Sequence, residues 1–355
     1  MSEPLASPSN HRHRGAALGL LAAALFGVSA PLAKWLLGEM TPQVLAGLLY
    51  LGSGLGLSAW RSLRPATAEA PISRADVPML ALLAVSGGVI GPLLMLVGLN
   101  RVSGLAGSLL LNLEGPFTMV IAVTLFREHL GRYGVAAAAC ILLGAALLRF
   151  QPGAFAADAI GTLCIAGACL AWGIDNNLTQ RLSLKDPFAI VRIKSLSAGL
   201  FNLLLGLTLG GRLPEPRLTL LALLLGLFSY GASVVLDAYA LRLVGAAREA
   251  AYFATAPFVG ALASVALFQD QLGRFDLMAM LFMALGVAAL LRERHSHRHE
   301  HESMSHAHLH VHDEHHRHAH HPGDPSGEPH SHEHTHAPLV HDHPHVPDAH
   351  HRHRH

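Results

Sequence analysis

The chain reads as an all-α polytopic membrane protein of ten transmembrane helices followed by a disordered cytoplasmic tail. Three observations predict this: a split in composition, ten apolar stretches of bilayer-crossing length, and an internal repeat. Of 355 residues, 51% are hydrophobic and 14% charged. Residues 295–355 hold 24 of the 27 histidines, nine Asp/Glu and four Arg, but only five Val, Ile, Leu or Phe. Residues 1–294 carry 21 basic and 15 acidic groups, most of them between long apolar runs. Such averages exclude an ordinary soluble domain.

A hydrocarbon core of about 30 Å needs roughly 20 apolar residues per helix. In order, the stretches that qualify run from Gly15 to Leu37, Pro42 to Trp60, Val77 to Leu99, Gly104 to Phe126, Gly134 to Leu148, Ala159 to Leu178, Pro187 to Leu209, Leu218 to Leu241, Ala250 to Phe268 and Phe275 to Leu291. The first follows Arg12 and Arg14, and Val28-Ser29-Ala30 looks like a signal-peptidase site. Its apolar run is too long for a signal core, and Pro31 directly after the site opposes cleavage, so it reads as a retained helix. Cys140, Cys164 and Cys169 lie inside apolar stretches without a CxxC spacing and read as small core residues.

Orientation follows from Lys and Arg near the helix ends. With the N-terminus inside, cytoplasmic segments hold fourteen such residues and the opposite side six: Lys34, Arg101, Arg149, Arg212, Arg217 and Arg274. Both termini, and with them the tail, are predicted to be cytoplasmic in a cell inner membrane.

The stretch "LNLEGPFTMVIAVTLFREHLGRYG" aligns on "FATAPFVGALASVALFQDQLGRFD" with one inserted residue. Pro116-Phe117 then falls on Pro257-Phe258, Glu128 on Asp270, Leu130-Gly131-Arg132 on Leu272-Gly273-Arg274, and Gly144 on Gly286. Phe26-Gly27 matches Trp172-Gly173, and Pro42 matches Pro187. The organisation is a cytoplasmic N-terminus (1–14), two five-helix units (15–150 and 158–292) and a tail (293–355). Because five is odd, the second unit enters the bilayer from the opposite side, giving an inverted pair of the kind that secondary transporters use for alternating access.

Two such units, each ending in Pro-Phe, a run of small residues, an acidic residue and Leu-Gly-Arg, resemble the EamA-type transporters of the drug/metabolite transporter superfamily over residues 15 to 292. The segments "AWGIDNNLTQRLS" and "RIKSLSAG", with the histidine-rich end, resemble a subgroup of that family. Asp270 stands where Glu is usual, while Glu128 keeps it. The resemblance implies translocation of a small molecule through a cavity between the halves and leaves the substrate open.

Ionisable groups at membrane depth are costly and need a role. Glu114 lies about 13 residues, roughly 20 Å of helix, from Arg127. Pro116 beside it removes a backbone donor, and Pro257 repeats the break in the ninth helix; paired interruptions point to a transport site. Asp175 and Lys194 sit at matching depths, roughly 9 and 12 Å from the cytoplasmic helix ends, so Asp175 can pair with Lys194 or Arg192. Trp172, Asn176 and Asn177 add an aromatic wall and hydrogen-bonding groups, or serve as interhelical glue. Asp237 is five residues from Arg242, which makes a local pair the simpler reading. Ser229, Tyr230 and Tyr239 have weaker claims, and Gly87 to Gly91 reads as close helix packing. With no GxxxxGK[ST] motif for ATP, energy must come from a gradient, and Glu114 is the candidate proton carrier.

In the tail, residues 295–320 and 330–355 align without a gap at a spacing of 35, with 15 of 26 positions identical and eleven of those histidine. Alternating His-x-His places imidazoles on one side of an extended chain. The candidate metal ligands are His295, His297, His299, His301, His306, His308 and His310 of the first copy. The second copy offers His330, His332, His334, His336, His341, His343 and His345. Neutral imidazole suits zinc, nickel, cobalt or copper. A solvated, pH-responsive tail is the plainer reading, since the imidazoles titrate near 6.5.

The expected function is thus secondary transport of a small molecule across a lipid bilayer, with a metal-binding tail. The rivals are efflux of nickel, cobalt or zinc gathered by that tail, and a membrane-anchored metal buffer or sensor. No cofactor is required, no nucleic-acid partner is indicated, and no nucleophile–base constellation suggests an enzyme.

Overall fold

The computed structural model describes residues 8–63, 72–126, 131–148, 158–182, 185–244, 246–290, 292, 295–301, 304–310, 330–336 and 339–345. The first half comprises α1 (Pro8–Gly27), α2 (Ser29–Leu36), α3 (Pro42–Ser62), α4 (Val77–Leu83), α5 (Gly91–Leu99), α6 (Gly104–Leu110), α7 (Glu114–Phe126) and α8 (Arg132–Leu147). The second comprises α9 (Ala159–Arg181), α10 (Pro187–Thr208), α11 (Pro216–Gly226), α12 (Ser233–Val244), α13 (Ala246–Phe253), α14 (Ala256–Phe268) and α15 (Arg274–Leu290). Starts are set locally: the Asp158 carboxylate accepts from Gly161 N–H, and Asp186 accepts from Phe188 N–H just after Pro187 fixes the first turn.

All ten expected stretches are helical, but seven, from His13–Leu36 through Pro216–Ala240, are long and apolar enough to cross a membrane. The other three are shorter. Helices α8 and α15 have 16 and 17 residues, and the ninth stretch is divided at Ala254-Thr255 into α13 and the 13-residue α14. Seven spans of full length among the described residues, rather than ten, thus arise partly from the break expected at Pro257.

The packing of the halves is its own image when they are exchanged. Helix α3 lies on α10, α8 on α15 and α6 on α14, which are repeat-related pairs, while α1 lies on α12 as α9 lies on α5. The aligned glycines report the same symmetry. Gly144 packs on the Ala279 carbonyl and Met283, and Gly286 packs on the Ala137 carbonyl and Ile141. At the α3 crossing a Cβ on Gly226 would overlap the Leu49 carbonyl, so backbones meet directly. Lipid tails offer no hydrophobic drive between helices, and close van der Waals contact replaces it. The core draws on both halves, with Leu45, Leu49, Met95, Leu109, Ile165 and Met283 fully buried. Cys140, Cys164 and Cys169 are free thiols.

The motif's acidic residue has a structural use. Asp270, past the end of α14, accepts a 3.3 Å hydrogen bond from Leu105 N–H at the start of α6, so one half caps a helix of the other.

Where disorder was expected, the tail carries four strands: β1 (His295–His301), β2 (Met304–His310), β3 (His330–His336) and β4 (Leu339–His345). Antiparallel pairing joins β1 to β4 and β2 to β3. The His-x-His alternation has the period of a strand, and each copy of the module supplies the partner that a lone strand lacks.

Candidate functional site

The fourth stretch leaves α-helical geometry where Pro116 denies a hydrogen bond to the Asn112 carbonyl, and α6 passes through a 3-10 turn (Leu111–Leu113) into α7. Glu114 stands at that junction, half-buried, and its Oε1 accepts from Asn176 Nδ2 of α9 at 2.7 Å. Asn177, by contrast, is buried glue, donating to the Thr118 carbonyl of α7 at 3.1 Å and to Gly173 of its own helix at 2.8 Å. Gly173 itself packs on the Phe117–Thr118 backbone, and the aligned Gly27 packs on Ala256 and Val259 of α14. Each helix break is therefore clasped by the first helix of the opposite half.

Asp175 and Lys194 pair as their depths predicted, Nζ to Oδ2 at 2.8 Å, with both side chains at most 15% exposed. The carboxylate rests against Gly87, where any Cβ would occupy its place. Gly87 belongs to a π-helical turn (Ala84–Ile90) between α4 and α5. Such a turn misaligns its backbone carbonyls, and these are claimed from three other helices. Tyr50 Oη and Trp172 Nε1 donate to Gly87 O at 2.7 and 3.1 Å, and Asn202 Nδ2 donates to Gly88 O at 2.9 Å. The third helix of the second half repeats the device with a π-helical turn at Leu227–Ala232. There Ser229 Oγ donates to the Leu25 carbonyl at 2.6 Å, and Tyr230 is buried, whereas Tyr239 is 44% exposed.

An aromatic cluster fills the centre: Phe26 meets Trp172, Tyr230 and Phe253 with centroids 6.5, 5.8 and 5.2 Å apart, and Tyr50 meets Tyr230 at 5.5 Å. Glu114 lies within electrostatic reach of Asp175, Lys194 and Asp237. Glu114 thus has Asp175, Lys194 and Asp237 around it, with Asn176 bonded to it and Trp172 on the neighbouring Gly87 carbonyl. Pro116 and Pro257 shape the breaks around this cluster.

Asp237 has a partner that the sequence reading missed. Buried Glu249 of α13 lies within hydrogen-bonding reach of it, and two carboxyls can share such a bond only when one of them carries a proton. The side chain of Arg242, the expected partner, lies outside the described residues, as do Arg127, Glu128 and His129. Asp175 Oδ1 and Asp237 Oδ1 are buried without a hydrogen-bond partner among the described residues, leaving two acceptors in the cluster. Tyr50 was also missed; a lone Tyr in an apolar stretch was its only signal. Among the described side chains, no group of three or more His, Cys, Asp or Glu could hold a metal ion.

Residues 13–150 and 159–292 each match the model of the EamA-like transporter family. A protein of Methanothermobacter thermautotrophicus described as an uncharacterized transporter is 30% identical over 290 residues, covering 76% of this chain and 84% of the relative. A solved crystal structure superposes with a TM-score of 0.61 at 18% identity, over 78% of this chain and 97% of that one, a likeness of fold.

Proposed function

The chain belongs to the EamA-like transporter family, and from that premise we propose that it is a secondary transporter that moves a small solute by alternating access, of the subgroup with a histidine-rich tail. Ten helices in two oppositely inserted halves rock about the cluster of Glu114, Asp175, Lys194 and Asp237, with both termini cytoplasmic in a cell inner membrane. The observation that carries this reading is that helix breaks at repeat-related positions of both halves converge on one ionisable cluster. A half-buried carboxyl at a break, held by one amide, can bind and release a proton as the halves move, so Glu114 couples transport to a proton gradient. Among the described residues, the four carboxyl groups of Glu114, Asp175, Asp237 and Glu249 accompany the one ammonium of Lys194, which suits protons and cargo with a cationic group. Pro116 and Pro257 let the helices bend, Trp172 walls the pathway, and Asn176 and Asn177 hold α9 to it. The tail binds zinc, nickel, cobalt or copper through its imidazoles.

The test is uptake into proteoliposomes driven by an imposed pH gradient, across a panel of amine, zwitterionic and anionic solutes, for the wild type and Glu114→Gln. Gradient-driven uptake of a solute class that Glu114→Gln abolishes is the expected result; equal uptake by both proteins would remove Glu114 from coupling. Efflux of the tail's metal is the second reading, favoured by the 24 tail histidines. Cells expressing the full chain, a chain ending at Arg294 and Glu114→Gln separate the readings. Lower accumulation of nickel, cobalt, zinc or copper that Glu114→Gln restores makes the metal the cargo. A metal-tolerance change lost only with the tail marks a buffer or sensor.

A further inference from the structure

The tail strands pair in one register. In β1–β4, His295, His297 and His299 stand opposite His345, His343 and His341. In β2–β3, His306, His308 and His310 stand opposite His334, His332 and His330. Carrying the β1–β4 register nine residues forward from His295 gives Met304 opposite His336, which is where β2–β3 begins. The two ladders therefore share one register, and each pairs a strand of one copy of the duplicated module with a strand of the other.

Within a copy the second His-x-His block starts 11 residues after the first, at His306 against His295, and the second copy keeps the same offset from His330 to His341. One antiparallel register that sets histidine against histidine in the first ladder therefore does so in the second as well. One intervening pair joins opposite charges, Arg298 with Asp342.

Resting on the reading that the tail binds metal, we propose that divalent late-transition-metal ions bind across the two ladders, each held by imidazoles from both copies of the module, and thereby close the tail into a hairpin. Directly opposed residues in an antiparallel pair have Cβ atoms about 4.5–5.5 Å apart, and alternate residues of a strand share a face about 6.6 Å apart. His297, His299, His341 and His343 make up two successive cross-strand pairs on one face of the ladder, and four imidazoles are the number that a tetrahedral ion takes. His306, His308, His332 and His334 form the equivalent quartet of the second ladder. An isolated two-stranded hairpin is marginal in water, and metal binding supplies the missing free energy.

The test uses the full-length protein in detergent, titrated with Zn2+ or Ni2+ alone against a chromogenic chelator. One variant replaces His297, His299, His341 and His343 by Ala. A second inserts one Ala between His297 and Arg298, which keeps every histidine but breaks the alternation. A control replaces His350, His351, His353 and His355 by Ala. The quartet variant is expected to lose about one tightly held ion per chain, the insertion to weaken that ion at least tenfold, and the control to leave it unchanged. Equal losses in all three would overturn the ladder site while leaving a metal-binding tail. No binding to the wild-type chain would overturn the parent reading as well.

Discussion

Phe26 and Trp172 hold the same position in the two halves and touch each other, with ring centroids 6.5 Å apart and planes at 72°. Residues related by the internal repeat meet only near the axis that relates them, so this edge-to-face contact marks the centre of the molecule. Chemistry is not symmetric there. Trp172 reaches the Gly87 carbonyl through Nε1 at 3.1 Å, which a Phe ring cannot do. Trp172→Phe is therefore expected to keep the ring contact and lose one interhelical hydrogen bond, costing about 0.6 kcal/mol, whereas Trp172→Ala costs about 3 kcal/mol or more. Thermal unfolding in detergent measures both; equal losses would mean that the hydrogen bond, and not the ring, holds α9 to the π-helical turn.

Lys194 and Asp175 form a buried pair in which removal of one partner leaves the other charge without compensation. Lys194→Met is expected to destabilise the protein by about 3–5 kcal/mol, and Asp175→Asn with Lys194→Met to recover much of that loss. Raising salt should leave the coupling largely intact, because a pair this enclosed is weakly screened. A double-mutant cycle in detergent checks both statements, and additivity of the two single losses would sink the first.

Much of this was readable from one chain. Apolar stretches near 20 residues located the helices though not their lengths, Pro116 and Pro257 marked the breaks, and similar depths narrowed the partner of Asp175 to Lys194 or Arg192. The π-helical turns were not read: Pro92, just past Ala84–Ile90, lacks the N–H that would reach the Gly87 or Gly88 carbonyl, but the donors that take those carbonyls, from Tyr50, Trp172 and Asn202, are far away in sequence. Glu249 escaped for a related reason: Arg242 is nearer to Asp237 in sequence, and only the turn from α12 into α13 brings Glu249 back onto it. The tail strands were hidden by composition, since a segment with so few apolar residues has no core and gains its partner only from the second copy of the module.

Glu249 and Asp237 lie within hydrogen-bonding reach, and a bond between two carboxyls needs one proton between them. In Glu249→Gln the amide keeps a donor for Asp237, so the melting temperature should move by only about 2 °C, within the effect of a fraction of a kcal/mol. The titratable proton is gone, however. If the pair exchanges protons during transport, gradient-driven uptake falls while exchange of solute at equal pH persists; loss of both together would assign the pair a purely structural role.

Asp270 ties the two halves together through the Leu105 N–H at 3.3 Å. Asp270→Ala is expected to cost about 0.5–2 kcal/mol, the range of a lost helix cap, and Asp270→Asn less, since its amide oxygen still accepts. Thermal unfolding of the three proteins in one detergent orders them; Asp270→Asn as damaging as Asp270→Ala would mean that charge, and not the acceptor, matters.

Glycine substitutions separate contact from conformation. A Cβ at Gly226 would overlap the Leu49 carbonyl of α3, and a backbone atom in a packed crossing has nowhere to go. At Gly115, two residues past the 3-10 turn, a Cβ meets nothing within 4 Å. Alanine is also the better helix former by about 0.8–1.0 kcal/mol. Gly115→Ala should therefore be neutral or stabilising in thermal unfolding, while Gly226→Ala should lose folded protein outright, as fluorescence-detected size exclusion would show. If Gly115→Ala keeps its stability yet slows transport, the fourth helix must bend at Glu114-Gly115-Pro116 during the cycle, and the break is then a hinge as well as a binding place.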